Sequence, residues 1–382
     1  MHKPDHATSS TSPHQMRLFA HAQAGRGRPS RRVRPHSRTG ATPATPAGCH
    51  GPARAILNAT DTLDRTERNA RTKTRTMRFT VTYPLVHHPC NPELMTKQSL
   101  TRFAQTAEKA GFDAMGFTDH PAPTHRWLSA GGHDALDPFS ALAFVAAVTD
   151  RMLLIPNIVV LPYRNPFIVA KSIATIAALS SGRFVLATGS GYLRGEYKAL
   201  GVDFDERNEL FDEAIEVLRG VWDTDDFAYQ GRNFLAHGQT ANPKPGRVPI
   251  WIGGNSRLSR RRVAAAADGW VPFPAPRALA ATTKTPPLET PEDLAEMLDY
   301  LWRQVDAQGR DRSEIDVCFG SDAGGSAADD TFDAGAQIAA LASLSTLGVT
   351  WASVTVPGDS INRALDALAR YGEEVITQYR TV

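Results

Sequence analysis

From Arg78 onward, short apolar runs rich in β-branched and aromatic residues alternate eight times with segments of helical periodicity. No other feature limits the fold as much. The expected strands are 78–83, 113–118, 152–161, 183–188, 249–252, 268–271, 314–319 and 350–356. A helix from Lys97 places Leu100, Phe103, Ala104 and Ala107 on one face and stops at Gly111. Asp137 caps a second helix with Pro138 in its first position, and Pro166 opens a third with Val169, Ile173 and Ile176 inward. The clearest amphipathic pattern is 207–222, where Phe211, Ala214, Ile215, Leu218, Val221 and Trp222 lie opposite Glu209, Asp212, Glu213 and Glu216. Further helices start from Ser256, Pro291, Thr331 and Ser360, and a short hairpin at 227–234, turning near Gly231, interrupts the series. Eight strand–helix units predict an α/β fold of the (β/α)8 TIM-barrel type over an open doubly wound sheet. Such a barrel needs about 250 residues, and 77–382 supplies them.

A barrel of this type carries its chemistry on the loops at the C-terminal strand ends. After the second strand come Asp119 and His120, followed by Pro121. A histidine beside a carboxylate suits a general base or a hydrogen-bond donor to a cofactor; the alternative is a capping Asp and a structural His. Gly189, Ser190 and Gly191 follow the fourth strand and let backbone approach a ligand closely, but they lack the third glycine of a dinucleotide fingerprint. Gly253, Gly254, Asn255 and Ser256 follow the fifth strand and open a helix, with Arg257, Arg260 and Arg261 on its first turns. Amides and dipole there can cradle a phosphate, and the same residues equally suit a tight turn capped by Ser256. His87, His88, His120, His125 and His133 are spread over two loops without a His-x-His or HExxH spacing, so no metal centre is expected. Cys90 and Cys318 read as small buried hydrophobes, since nothing in the sequence around them would lower a thiol pKa.

Charge divides the chain in two. Residues 1–76 hold 14 Lys and Arg against 4 Asp and Glu, a net of +10, whereas 77–382 hold 28 against 36, a net of −8. The first stretch, rich in Arg, Thr, Ser, Ala, Pro and His, has too little apolar periodicity to bury a core and is expected to be a disordered leader, with Met77 as the true start. Arg31-Arg32 is followed by no apolar region of a secretion signal. A nucleic-acid partner would have to bind that leader alone, against an acidic barrel, and is not expected. No run reaches the roughly 18 apolar residues of a membrane span, and three scattered cysteines, Cys49, Cys90 and Cys318, suit a reducing cytoplasm.

Five stretches carry a family likeness: GFDAMGFTDHP (111–121), LPYRNP (161–166), LSSGRFVLATGSGYLRGEY (179–197), PIWIGGNS (249–256) and ADGW (267–270). Together they resemble the bacterial luciferase-like monooxygenase superfamily, and within it the branch of oxidoreductases dependent on the deazaflavin coenzyme F420. The resemblance spans 77–382 and leaves the leader without a counterpart. It implies a barrel with a deazaflavin or flavin across its C-terminal mouth, and hydride transfer between F420 and a small organic substrate. An FMN-dependent monooxygenase using molecular oxygen is the alternative. His120 would be the catalytic group and Asp119 would contact the ring. Gly189, Ser190 and Gly191 would approach the cofactor, and Gly253, Gly254, Asn255 and Ser256 would take its phosphate. A bulge with a non-prolyl cis peptide would support the ring at Val159, Val160 and Leu161. Arg164, Arg194, Arg257 and Arg260 would meet the anionic tail, while Tyr83, His87 and Trp127 line the substrate side by loop position. Tyr192 stands where some sugar-phosphate dehydrogenases of the group place a glutamate proton donor, which counts against that substrate class. The family commonly dimerises through helices near the second and third strands, so a homodimer is expected.

Overall fold

A computed structural model describes residues 76–381. The expected leader therefore lies, apart from Thr76, outside the described residues. The strands are β1 (Arg78–Thr82), β2 (Ala114–Gly116), β3 (Leu153–Leu154), β4 (Val159–Val160), β5 (Leu186–Gly189), β6 (Phe227–Gln230), β7 (Leu235–Gln239), β8 (Ile250–Gly253), β9 (Gly269–Val271), β10 (Asp316–Phe319) and β11 (Trp351–Val354). The helices are α1 (Lys97–Lys109), α2 (His125–Ser129), α3 (Pro138–Val148), α4 (Pro166–Leu179), α5 (Arg194–Ala199), α6 (Arg207–Asp223), α7 (Arg257–Ala266), α8 (Arg277–Thr283), α9 (Pro291–Ala307), α10 (Ala334–Thr346) and α11 (Ile361–Tyr371).

Nine strands form one parallel sheet in the order β3-β2-β1-β11-β10-β9-β8-β5-β4. Its two ends belong to one stretch of chain. Leu154 bridges Phe184 while Val159 and Val160 pair with Thr188 and Gly189, so the sheet closes on itself and has eight staves. This is the (β/α)8 barrel. The third stave differs from the unbroken strand expected at 152–161. Between its halves the Asn157 N–H donates to the Phe117 carbonyl at 2.8 Å and its side chain to Thr82 at 3.0 Å. Pro156 has no N–H to continue the ladder. The non-prolyl cis peptide is at Asn157–Ile158, two residues before the position the family likeness suggested. The hairpin also runs further than expected, to Gln239, and α10 starts at Ala334 instead of Thr331.

Side-chain alternation along each stave divides the apolar core into two layers. Ala114, Ile155, Val185, Ala187, Trp251, Cys318 and Trp351 fill the barrel, whereas Phe79, Val81, Leu186, Ile250, Ile252 and Val317 face the helices. Trp251 and Trp351 meet edge to face, with centroids 5.2 Å apart. Gly269 makes the room, since a Cβ there would lie 2.4 Å from the Trp251 ring. Burial pushes the Cys318 thiol up to about 12, which keeps it an inert part of this filling. The caps are local and as expected. Asp137, Ser256 and Ser360 each accept the N–H three residues on, at 2.8, 3.0 and 3.3 Å.

Candidate functional site

The chain leaving β2 delivers Asp119 and His120 to the C-terminal mouth, and the two face different partners. Asp119 is 3% exposed. Its Oδ2 accepts from the Val160 N–H at 2.8 Å and from Arg164 Nη1 at 2.6 Å, and its Oδ1 accepts from Arg164 Nη2 at 2.7 Å. Such a bidentate pair is geometrically selective. It ties the end of β2 to the turn after β4, so both Asp119 and Arg164 are engaged by the fold itself. Burial would lower the Arg164 pKa, but the Asp119 carboxylate outweighs it and holds the guanidinium above its usual range.

His120 turns its Nδ1 toward Glu196, whose Oε2 is 3.3 Å away. Glu196 lies on α5 and is fully buried. Its Oε1 accepts the Ala122 N–H at 3.2 Å and its Oε2 accepts the Tyr163 hydroxyl at 2.8 Å. Burial, with Glu196 beside it, drives the Tyr163 pKa far above the usual tyrosine value, so this hydroxyl stays a donor. Aromatic rings close around the His120 imidazole, with Trp127 at 4.5 Å, His133 at 5.0 Å and Tyr192 at 6.5 Å between centroids. Burial keeps the His133 pKa below the ordinary value, and its Nδ1 lies 2.9 Å from the Asp134 carbonyl. The histidine pairs do not extend to a metal site: among the described residues no three His, Cys, Asp or Glu side chains converge to hold an ion.

The floor of the mouth is apolar. Ile158 lies between two backbone segments, because a Cβ at Gly189 would sit 2.4 Å from its Cδ1 and one at Gly253 would sit 3.2 Å from it. Val160 packs under Gly191, which takes a φ of +64°. Leu161 instead joins the core between staves and helices. The Ser190 carbonyl accepts the Tyr197 hydroxyl at 2.6 Å. Across from it, Gly254 adopts a φ of +101° and Ser256 caps α7. Asn255 is fully buried, and its side chain holds the following loop through Phe273 and Pro286, at 2.9 to 3.2 Å.

Of the residues expected in the mouth, His120, Asp119, Val160, Gly189, Ser190, Gly191, Gly253, Gly254, Asn255 and Ser256 come together at the ends of β2, β4, β5 and β8. Trp127 joins them. Tyr83 does not, because it is 2% exposed and its hydroxyl donates to the Leu94 carbonyl at 2.6 Å. Arg260 is also turned inward, donating to the Met297 and Asn255 carbonyls at 3.0 and 3.3 Å. Cations gather elsewhere. Arg194, Arg207 and Lys284 stand 4.1, 3.9 and 5.8 Å from the Phe204 ring, and Lys284 is next in sequence to Thr285, which accepts the Asn255 N–H. Of this group only Arg194 was expected from the sequence; Arg207, Lys284 and Glu196 were not. A lone acid in a six-residue helix has no periodicity to mark it.

A family model for luciferase-like monooxygenases matches residues 77–347. An FMNH(2)-dependent dimethylsulfone monooxygenase of Pseudomonas fluorescens is 34% identical over 174 residues, 44% of this chain and 45% of that protein. An F420-dependent glucose-6-phosphate dehydrogenase of Microbacterium testaceum is 28% identical over 235 residues, 60% of this chain and 65% of that protein. The chain thus spans about half the length of the curated relatives it matches. Among solved structures, a monooxygenase from Streptomyces bottropensis aligns with a TM-score of 0.64 at 19% identity, over 79% of this chain and 100% of that one. An F420-dependent secondary alcohol dehydrogenase, in complex with an F420-acetone adduct, aligns with a TM-score of 0.60 at 18% identity, over 79% and 98%. At these identities the two structures speak for the fold.

Proposed function

The chain belongs to the luciferase-like monooxygenase family, and on that footing we propose that it is an oxidoreductase that moves a hydride between the deazaflavin F420 and a small organic substrate. The observation that carries the proposal is the His120–Glu196 pair, set among Trp127, His133 and Tyr192 at the barrel mouth. When bound, the deazaflavin supplies the hydride chemistry; the protein supplies position, proton handling and exclusion of water. The residues present fit such a group. Ile158 between Gly189 and Gly253 offers a flat apolar floor to a planar ring. Arg194, Arg207 and Lys284 offer charge to an anionic tail, and Asp205, which pairs with Arg194 at 2.8 Å, is 72% exposed at its side chain. His120 is the catalytic residue, and Trp127 and Tyr192 wall the substrate side. The two relatives known by different cofactors leave FMN-dependent oxygenation as the second reading, favoured by the dimethylsulfone monooxygenase match. We further propose a homodimer.

Parallel fluorescence titrations with F420 and FMN test the cofactor. Binding of F420 at least tenfold tighter than FMN is expected, and Arg194→Ala with Lys284→Ala should weaken it further. The reverse preference, together with substrate-dependent oxygen uptake, would assign the protein to the flavin monooxygenases. Binding of neither would remove the cofactor reading altogether.

A further inference from the structure

We infer that Glu196 is a positioning residue that fixes the proton of His120 on Nδ1 and leaves Nε2 as a proton acceptor in the mouth. Both Glu196 oxygens already accept hydrogen bonds, from the Tyr163 hydroxyl and the Ala122 N–H, so the carboxylate meets His120 as a further acceptor and Nδ1 must be the donor. On the other side of the ring, Nε2 makes no hydrogen bond to the described residues, and the His120 side chain is 12% exposed. His133 does not compete, because its Nδ1 is taken up by the Asp134 carbonyl. The arrangement is also stiff. Tyr163, which donates to the Glu196 carboxylate, packs edge to face on Tyr197 at 4.8 Å, and Tyr197, the next residue of α5, donates to the Ser190 carbonyl. A buried carboxylate behind an imidazole orients the ring and stabilises the imidazolium that forms when the far nitrogen takes a proton.

The consequence for chemistry rests on the proposed deazaflavin reading. A substrate carrying H–C–O–H loses its C–H hydrogen, with the electron pair, to oxidised deazaflavin. Its O–H proton passes to His120 Nε2, and the C–O bond becomes C=O. In the reverse direction the imidazolium returns that proton to the carbonyl oxygen.

The tautomer can be read without any cofactor. In the full-length protein labelled with 15N-histidine, in alkaline buffer where imidazole is neutral, His120 is expected to show a protonated Nδ1 and an unprotonated Nε2. The signal is assigned by its loss in His120→Asn. In Glu196→Gln the side-chain NH2 can donate to Nδ1, and the proton should move to Nε2. Should that variant not fold, Glu196→Asp withdraws the carboxylate by one methylene and should give mixed tautomers. A wild-type His120 protonated on Nε2 overturns the inference, and so does a folded variant whose tautomer is unchanged. Loss of F420 and FMN binding would sink the proposed function yet leave this readout standing.

Discussion

Asp119 accepts three hydrogen bonds at 2.6 to 2.8 Å, two of them from a guanidinium, with almost no exposure to water. Removing one partner of a buried pair leaves an uncompensated charge as well as a cavity, at a cost of about 3 kcal/mol. Asp119→Ala should lose about that much in urea-unfolding free energy, because the Val160 N–H then has no acceptor and Arg164 keeps only the longer contact to Asp137, at 3.4 Å. A loss under about 1 kcal/mol would show that the pair does not hold the β4 turn. The position of Asp119 and His120 at a strand end was legible, because two adjacent polar residues close an otherwise apolar run. Their partners were not. Arg164 is 45 residues from Asp119 and Glu196 is 76 from His120, and a single sequence carries no signal for a pairing that the barrel creates by bringing separate staves side by side. The Tyr83 expectation failed for a more local reason: its hydroxyl is claimed by the Leu94 carbonyl, eleven residues on, in the chain leading into α1.

At the scale of elements, the parts governed by local chemistry read well. Proline in the first position of α3, α4 and α9, and side-chain caps at Asp137, Ser256 and Ser360, give helix starts within a residue of the sequence reading. The third stave read poorly, since nothing local to 152–161 shows that the Asn157 side chain is taken up by Thr82, at the end of β1. Glu108, near the end of α1, links two elements in a way that depends on pH. Its carboxylate accepts from the N–H groups of Arg151, Met152 and Asp150 at 2.6, 2.8 and 3.1 Å, at the entry to β3. Burial would raise its pKa, but these donors outweigh that effect and hold it below the usual carboxylate range. A carboxyl with a lowered folded pKa binds fewer protons in the native than in the unfolded state. Its stabilisation is therefore complete above about pH 4.5 and is lost as pH falls through the lowered folded value. Thermal unfolding between about pH 5 and pH 3 should fall less steeply for Glu108→Gln than for the wild type. Parallel curves would mean that the three N–H bonds do not matter to the fold.

For the whole molecule, the decisive contact is the one that closes the barrel between its first and last strands. Arg78 pairs with Trp351 and Val81 with Val354, and the Arg78 N–H donates to the Thr350 carbonyl at 3.0 Å. Met77, just before β1, is already 1% exposed and part of the core. The strand pairing that closes the ring is therefore made within residues 78–354. A chain of residues 77–382 should keep the unfolding midpoint of the full-length protein. The outer surface adds a prediction about assembly. On α4, Ile168 and Leu179 are 66% and 71% exposed, and eleven residues bring them three helical turns apart on the same side. In the proposed homodimer, a two-fold axis beside this helix would bring both side chains against the second copy of the chain. Sedimentation of the 77–382 chain should accordingly show a dimer, and Leu179→Lys should shift it to the monomer without moving its unfolding midpoint at low protein concentration. A wild-type monomer at all concentrations would leave α4 an ordinary outer helix, and a lowered midpoint in the truncated chain would return residues 1–76 to the folded unit.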